Sequence, residues 1–124
     1  MSKAVKKAAK KRVKKAPAKP AVAPAGPPKN GVTLVVAIKA RPGQEATLER
    51  ELRALVKPSR AERGCIAYDL HVSSDQPGLF LLREIWRTLE HHGKHWNTPH
   101  MKTWGERKGA LVASREASFW RQIV

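Results

Sequence analysis

Four of the five histidines of this chain lie between Thr88 and His100, and they are its best candidates for chemistry. An imidazole can accept and give a proton near neutral pH. His91 and His95 stand four residues apart, a metal-ligand spacing on one helix face, but no carboxylate or cysteine accompanies them at a recognised spacing. We therefore expect no metal. Proton transfer by His95 or His100 is the favoured chemistry, and a structural role at a helix end, with little contribution to packing, is the alternative.

Aromatic and acidic side chains extend this candidate site. Trp96, next to His95, and Trp104 could line a pocket for a flat substrate, and Tyr68 could orient a substrate hydroxyl. Packing in the core is the alternative for each of them. Glu84 lies in an apolar segment and must be paired if it is buried, so we expect a basic group or a backbone donor on a helix or a second subunit as its partner.

The segment before the histidines is predicted to be a buried strand. Residues 79–86 are apolar apart from one charged pair, a pattern typical of a strand covered on both faces. Thr88 offers a helix cap and Pro99 a helix stop, so this strand feeds a short helix that carries the histidines. Residues 101–104 are expected to continue helically, and residues 106–109 to form a polar linker.

The rest of the folded sequence supplies three more strands and one longer helix. The strands are predicted over residues 32–38, 65–72 and 117–124. An amphipathic helix begins at Gln44 and is expected to end or kink near Lys57, because Pro58 is disfavoured inside a helix. Residues 73–78 have turn chemistry, so the second and third strands should form a hairpin.

The order strand, helix, strand, strand, helix, strand is that of a ferredoxin-like α+β fold with a four-stranded antiparallel sheet. Two helices cover one face of such a sheet. The first and third strands are apolar on both faces, however, so the second face also needs a cover. We expect that cover to be the same face of a second copy, which would make the protein a homodimer, a dimeric α+β barrel.

Charge divides the 124 residues into two parts, a basic segment of residues 1–30 and one folded domain of residues 31–124. The first part holds ten Lys or Arg and no acid, is rich in Ala and Pro, and is predicted to be disordered. Its candidate polyanion-binding residues are Lys6, Lys7, Lys10, Lys11, Arg12, Lys14 and Lys15. Nucleic acid is the partner that this charge would suit. A solubilising tail or a mis-assigned start codon is the alternative.

Cysteine content and hydropathy restrict the compartment. A single cysteine, Cys65, excludes an internal disulfide and fits a reduced cytoplasm, and its place in an apolar strand favours a packed residue over a nucleophile. No apolar run approaches the length that crosses a membrane, and no hydrophobic segment follows the basic start, so neither a membrane partner nor a secretory signal is expected.

Four segments of the folded part resemble the antibiotic biosynthesis monooxygenase domain, including its quinol monooxygenases. They are residues 64–68, 75–78, 84–88 and 95–100. The most specific feature is the spacing Glu-x-Trp-x-Thr at Glu84 to Thr88, followed by His95 nine residues after Trp86 and then by Pro-His ending at His100. The likeness spans residues 33–123.

This resemblance implies a ferredoxin-like dimer with a cavity between sheet and helices, and an oxygenation of electron-rich aromatics by dioxygen without a cofactor. His95 is similar to the family histidine that points into the cavity, where it could deprotonate a phenol or hydroquinone. His100, Trp96, Asn97, Tyr68 and Trp104 would then contact the substrate. The pair His91-His92 and the basic segment depart from the family pattern, and the residues of its haem-degrading members have no matching positions here.

The sequence thus favours a cofactor-independent monooxygenase that oxidises a quinol or related phenol. The alternative is a non-catalytic dimer that binds a small molecule in the same cavity and holds nucleic acid or another polyanion through its basic segment. Hydrolysis by a serine or cysteine nucleophile has no support in the sequence.

Overall fold

The computed structural model describes residues 31–124, so the basic segment and its seven candidate polyanion-binding residues lie outside the described part of the chain. Seven elements follow one another along residues 31–124. They are β1 (Val32–Ala40), α1 (Glu45–Arg60), β2 (Cys65–Val72), β3 (Leu79–Trp86), α2 (Leu89–His95), α3 (Pro99–Leu111) and β4 (Val112–Trp120). The predicted ferredoxin-like fold is confirmed, with the second helical segment divided into α2 and α3.

The four strands form one antiparallel sheet in the order β2-β3-β1-β4. The predicted hairpin of β2 and β3 is confirmed, and β1 lies between β3 and β4. Val36, for example, is opposite Leu82 on one side and Ala117 on the other. Side chains of β1 and β3 that point to the helices are buried, because alternate residues of a strand face the same side of the sheet.

The core lies between this face and the three helices. Apolar residues of α1 recur at helical spacing, and Leu48, Leu52 and Leu55 are all buried. Helix α3 adds Met101 and Trp104 to the same cluster. Across the surface of the two helices, the guanidinium of Arg107 donates two hydrogen bonds of 2.8 Å to the carboxylate of Glu51, a bidentate pair that fixes α3 against α1.

Three predicted boundaries differ from the structure, those of α1, of the polar linker and of the last strand. For α1 we predicted an end or a kink near Lys57, and the end is wrong. Helix α1 continues past Pro58 to Arg60, because its last turn is fixed from outside: Arg60 donates from Nε to the carbonyl oxygen of Tyr68 at 3.0 Å and from Nη2 to Asp69 Oδ1 at 3.0 Å. The predicted polar linker, residues 106–109, is part of α3. The helix continues through these residues because Arg107 pairs with Glu51 of α1 and Leu111 is buried at its end.

The last strand is also displaced from its predicted range. It spans Val112–Trp120 and not residues 117–124, and it follows α3 without a loop. Its central residues are polar, so apolar content alone did not reveal it. Its pairing with β1 runs from Trp120 opposite Thr33 to Val112 opposite Ala40, and that backbone ladder explains why a polar segment is a strand here.

The second face of the sheet carries a mixture of side chains. Val35 and Ala37 of β1 lie there beside Leu81 of β3, which is 37% exposed, next to an ion pair of Arg83 with Asp69 at 2.7 Å. Both faces of these strands are therefore partly apolar, as the dimer prediction requires, and the dimer itself stays a prediction. No helix within residues 31–124 is long and apolar enough to cross a membrane.

Candidate active site

Three segments meet beside the sheet and bring together one carboxylate and two imidazoles, the Glu62–His95–His100 cluster. Glu62 lies in the connection after α1, His95 ends α2 and His100 lies in the first turn of α3. Oε2 of Glu62 is 2.6 Å from Nδ1 of His95 and 2.7 Å from Nε2 of His100. The side chains of His95, Glu62 and His100 are 1%, 12% and 19% exposed, so the cluster runs from the core to the surface.

Local backbone chemistry places each member of the cluster. Glu62 begins a tight turn in which its carbonyl oxygen accepts from the amide of Cys65 at 3.1 Å, and Gly64 supplies the positive φ of +89° that this turn needs. Thr98 connects the two helices: its hydroxyl donates to the carbonyl oxygen of His95 at 2.7 Å and caps α3 by accepting from the amide of Met101.

His95 lies against aromatic rings. Its ring centroid is 4.8 Å from that of Trp86, 5.6 Å from Tyr68 and 5.8 Å from Trp96. The expectation that His95 contributes little to packing is wrong, because a ring in these contacts is part of the core. A neutral His95 that donates from Nδ1 to Glu62 carries its lone pair on Nε2, so Nε2 is the nitrogen that can accept a proton from a ligand.

A small cavity lies beside His95, between the sheet and the helices. Its volume is about 20 Å³, which suits a single water-sized molecule. The polar and aromatic residues of its wall are Tyr68, Glu84, His95, Trp96, Trp104 and Arg115. Trp96 is 38% exposed, and its ring has Nζ of Lys108 at 5.9 Å and the guanidinium of Arg115 at 5.6 Å from the centroid. A flat aromatic ligand therefore needs this wall to open.

The buried acid Glu84 has a different partner from the one predicted. Its Oε1 accepts a hydrogen bond of 3.0 Å from Nε1 of Trp86, which is on the same strand. The prediction of a hydrogen-bond partner on a helix is wrong, because residues two apart on a strand point to the same face and Trp86 is long enough to reach back. A partner on a second subunit stays a prediction. Burial raises the pKa of Glu84, and the Trp86 hydrogen bond and the charges of His95 and Arg115 oppose that rise.

We expect Glu84→Gln to stabilise the protein at neutral pH. The pKa of Glu84 in the folded protein lies above its ordinary value of 4.5. Between these two pKa values the folded protein holds a proton that the unfolded chain has lost. The free energy of unfolding therefore falls as pH rises from the lower pKa to the higher one. Glutamine still accepts from Trp86 but carries no charge. Thermal melts should show a higher Tm near pH 7, by ~4–8 °C for each kcal/mol recovered.

The gain should shrink below the ordinary pKa of 4.5, where Glu84 is protonated in both states. Glu116→Gln is the matched control, because this acid is exposed on β4. A lower Tm for Glu84→Gln than for the parent near pH 7 would show that the ionised carboxylate stabilises the fold.

Two more side chains, Tyr68 and His92, have shifted pKa values. Burial, and next the charge of Glu84, raise the pKa of Tyr68, so its phenol stays protonated and can donate a hydrogen bond. Burial, and next the charges of His95 and Arg115, lower the pKa of His92, so this ring is neutral at pH 7. His92 lies edge-on to Phe119 of β4, with ring centroids 6.0 Å apart, and edge-on to Trp96 of the cavity wall, with centroids 6.4 Å apart.

The predicted site residues are only partly brought together. His95, Trp96, Tyr68 and Trp104 line the small cavity. His100 contacts Glu62, and Asn97 is exposed and is not among the residues of the cavity wall. His91 is not a member of the cluster. It lies at the start of α2, where its amide donates to the hydroxyl of Thr88 at 3.1 Å.

Glu62 is the site residue that sequence reasoning missed. It lies 33 positions before His95, and a search for ligand or relay partners at helical spacing does not reach it. Its one signal was position, because Glu62 lies two residues before Gly64, the first residue of a segment that resembles the family. Ligand atoms of Glu62, His95 and His100 lie within 4.8 Å of one another and could hold a metal ion. The carboxylate of this group lies at no recognised metal-ligand spacing from the histidines, and folding brings it to them.

A second, larger depression lies between α1 and β2. Its volume is about 580 Å³, and its wall includes Arg53, Arg60, Leu70, His71 and Val72. It shares no residue with the Glu62–His95–His100 cluster, and none of the predicted catalytic or substrate-binding residues lines it.

A sequence model of the family described as antibiotic biosynthesis monooxygenase matches residues 31–107. An uncharacterized Synechocystis protein, sll1783, is 30% identical over 82 residues, which cover 64% of this chain and 56% of that protein. The chain thus spans little more than half of this relative. Rv0793 of Mycobacterium tuberculosis, whose name assigns it provisionally to the monooxygenases, is 32% identical over 81 residues, 65% of this chain and 79% of its own length.

Solved structures show the same architecture. PA3566 from Pseudomonas aeruginosa has a TM-score of 0.76 and 38% sequence identity, and the match covers 80% of this chain and 100% of that chain. The structure of Rv0793 has a TM-score of 0.71 and 27% identity, and covers 76% of this chain and 96% of its own.

Proposed function

This chain belongs to the antibiotic biosynthesis monooxygenase family, as its sequence segments predicted, and we propose that it is a cofactor-independent monooxygenase that oxidises a quinol or related phenol with dioxygen. The observation that supports this reaction most is the environment of His95. A buried imidazole has one nitrogen fixed by a carboxylate and lines a cavity walled by tryptophans, which is the arrangement of a general base beside an aromatic substrate.

The reaction begins with proton transfer. Nε2 of His95 accepts the phenolic proton, and Glu62 stabilises the imidazolium that forms, since its carboxylate already accepts from Nδ1 at 2.6 Å. The phenolate gives one electron to dioxygen, and the resulting superoxide adds to the ring carbon to make a peroxide. His95 returns the proton to that peroxide, which loses water as the ring carbon becomes a carbonyl. One oxygen atom enters the product and the other leaves as water.

His100 extends this path toward solvent. Its Nε2 lies 2.7 Å from the same carboxylate oxygen, and its side chain is the most exposed of the cluster. This position supports a role in exchanging protons with water through Glu62. Tyr68 and the exposed ring of Trp96 supply a hydroxyl donor and a stacking surface for the substrate. Asn97 is exposed and lies outside the cavity wall, so we propose that it contacts the substrate only when the cavity is open.

Oxygen uptake tests the proposed reaction. The full-length protein, freed of metal by a chelator, is mixed with a set of hydroquinones and polycyclic phenols while dissolved oxygen is recorded. One molecule of dioxygen consumed for each molecule of quinone product is the expected result. Quenching of tryptophan fluorescence by the same compounds without any oxygen uptake would instead support the alternative function, a small-molecule-binding protein without turnover.

The basic segment supports a second proposed activity, binding of nucleic acid. Residues 1–30 hold ten basic residues and no acid. Deletion of residues 1–19 should abolish retention of DNA or RNA, and the logarithm of the parent's affinity should fall linearly with the logarithm of salt concentration, because bound cations are released from the phosphates. Retention that survives the deletion would assign the binding to the folded domain.

Two further proposals concern the state of the protein in the cell. A homodimer packed through the second face of the sheet would cover Val35, Ala37 and Leu81, and sedimentation of the full chain at micromolar concentration tests it. A monomer at that concentration contradicts it. A cytoplasmic location agrees with the buried thiol of Cys65.

A further inference from the structure

We propose that the Glu62–His95–His100 cluster is a binding site for a divalent transition-metal ion of the Zn²⁺ class, and that the bound ion switches off proton transfer by His95. The geometry of the cluster supports metal binding by itself. Inhibition rests on the proposed function.

The donor set fits such an ion. Two imidazole nitrogens and one carboxylate oxygen are the ligands that zinc and its neighbours in the first transition row prefer. The three ligand atoms lie within 4.8 Å of one another, and two of the separations are 2.6 and 2.7 Å. Donors about 2.0–2.2 Å from a tetrahedral ion are roughly 3.4 Å apart, so shifts on the order of 1 Å convert the hydrogen-bonded cluster into a coordination shell.

The positions of the three residues allow those shifts. Glu62 lies in the connection between α1 and β2, where its side chain is not fixed by a helix, and His100 is at the start of α3 with a side chain 19% exposed. His95 is the fixed ligand, held by its aromatic neighbours. A site with one rigid and two adjustable donors, open to solvent on the His100 side, can admit an ion and leave a fourth coordination position for water.

Protons move when the ion binds. Each neutral imidazole keeps one proton, but the nitrogen that binds the ion must be deprotonated. The proton of His95 therefore moves from Nδ1 to Nε2, and that of His100 moves from Nε2 to Nδ1. Nε2 of His95 then carries a hydrogen and has no lone pair for a phenolic proton, so the loaded protein cannot perform the first step of the proposed reaction.

The test uses the full-length, chelator-treated protein with Zn²⁺ in a calorimeter and with Co²⁺, whose visible absorption reports tetrahedral nitrogen and oxygen ligands. One ion per chain is expected. Glu62→Gln and His100→Ala should each weaken Zn²⁺ binding by at least about tenfold, the lower end of the loss seen even for residues behind the ligands. His71→Ala is the matched control, because this exposed histidine on β2 is outside the cluster.

Three outcomes would overturn the metal site: no stoichiometric binding by the parent, undiminished binding by Glu62→Gln, or a loss confined to His71→Ala. Circular dichroism verifies that each variant is folded. Zn²⁺ should also stop oxygen uptake by the parent over the same concentration range as it binds, and full turnover by the Zn²⁺-loaded protein would overturn the inhibition. Because binding is read without turnover, a protein that binds Zn²⁺ but consumes no oxygen would count against the proposed function and not against the metal site.

Discussion

Replacement of His95 by glutamine should lower the rate of oxygen uptake by about a hundredfold or more, the usual contribution of a general base. Glutamine keeps most of the volume between Trp86 and Tyr68 and can still donate to Glu62, but it cannot accept the phenolic proton. Alanine would remove the same base, yet it would also leave a space in the core, because His95 is only 1% exposed. Rates at a saturating quinol concentration report loss of the base, and a thermal melt of the same variant reports loss of stability.

The pH dependence of His95→Gln distinguishes a base from a positioning group. As pH approaches the pKa of the substrate itself, the phenolate forms in solution and the variant should recover much of the parent's rate. His92→Gln is the control on the same helix, since this ring is neutral and does not contact Glu62 in the cluster, and it should change the rate only a few-fold. Full activity of His95→Gln at neutral pH would refute the assignment, and a loss that high pH does not restore would make His95 a positioning residue.

Substitution of Gly64 by alanine should lower the free energy of unfolding by on the order of 2–4 kcal/mol, more than any other substitution proposed for this protein. The backbone there has a φ of +89°, which costs an L-residue about 1–2 kcal/mol, and an added Cβ would overlap the ring of His91. That ring is held by the cap of α2, with Nδ1 of His91 2.8 Å from the hydroxyl of Thr88, so it cannot move away without disturbing the helix. Urea denaturation at constant pH measures the loss.

Gly43→Ala is the matched control for Gly64→Ala. Gly43 has nearly the same φ, +86°, but an added Cβ would meet nothing within 4 Å. Its cost should be that of the backbone conformation alone, about 1–2 kcal/mol. Equal losses for the two variants would show that the His91 ring moves away freely. A larger loss at Gly64 should also weaken the Glu62–His95–His100 cluster, because Glu62 is two residues away in the same turn.

The elements that a local pattern specifies were predictable from the sequence. The apolar run of β3, the Thr88 cap and the turn between β2 and β3 each lie within a few residues, and the structure confirms all three. The continuation of α1 through Pro58 and the polar strand β4 were not predictable in this way. Both depend on partners outside the element itself, the carbonyl of Tyr68 for α1 and the ladder of β1 for β4, and these hydrogen bonds outweigh local preference.

The same distinction applies to the site. His95 and the aromatic residues of the cavity were selected by type, spacing and resemblance, and the structure places His95, Trp96, Tyr68 and Trp104 around one cavity. Glu62 was not selected, because its relation to the two histidines is created by folding: the end of α1 is brought to the junction of α2 and α3. No period in the sequence encodes a contact across 33 residues.

The small volume of the cavity has a kinetic consequence. Space of about 20 Å³ beside His95 admits a water-sized molecule, whereas a quinol ring is several times larger. Under the proposed function, opening of the wall at Trp96 therefore precedes or accompanies entry of the substrate, and association becomes a two-step process. In a stopped-flow experiment that follows tryptophan fluorescence, the observed rate should approach a plateau as substrate concentration rises, and that plateau measures how often the wall opens.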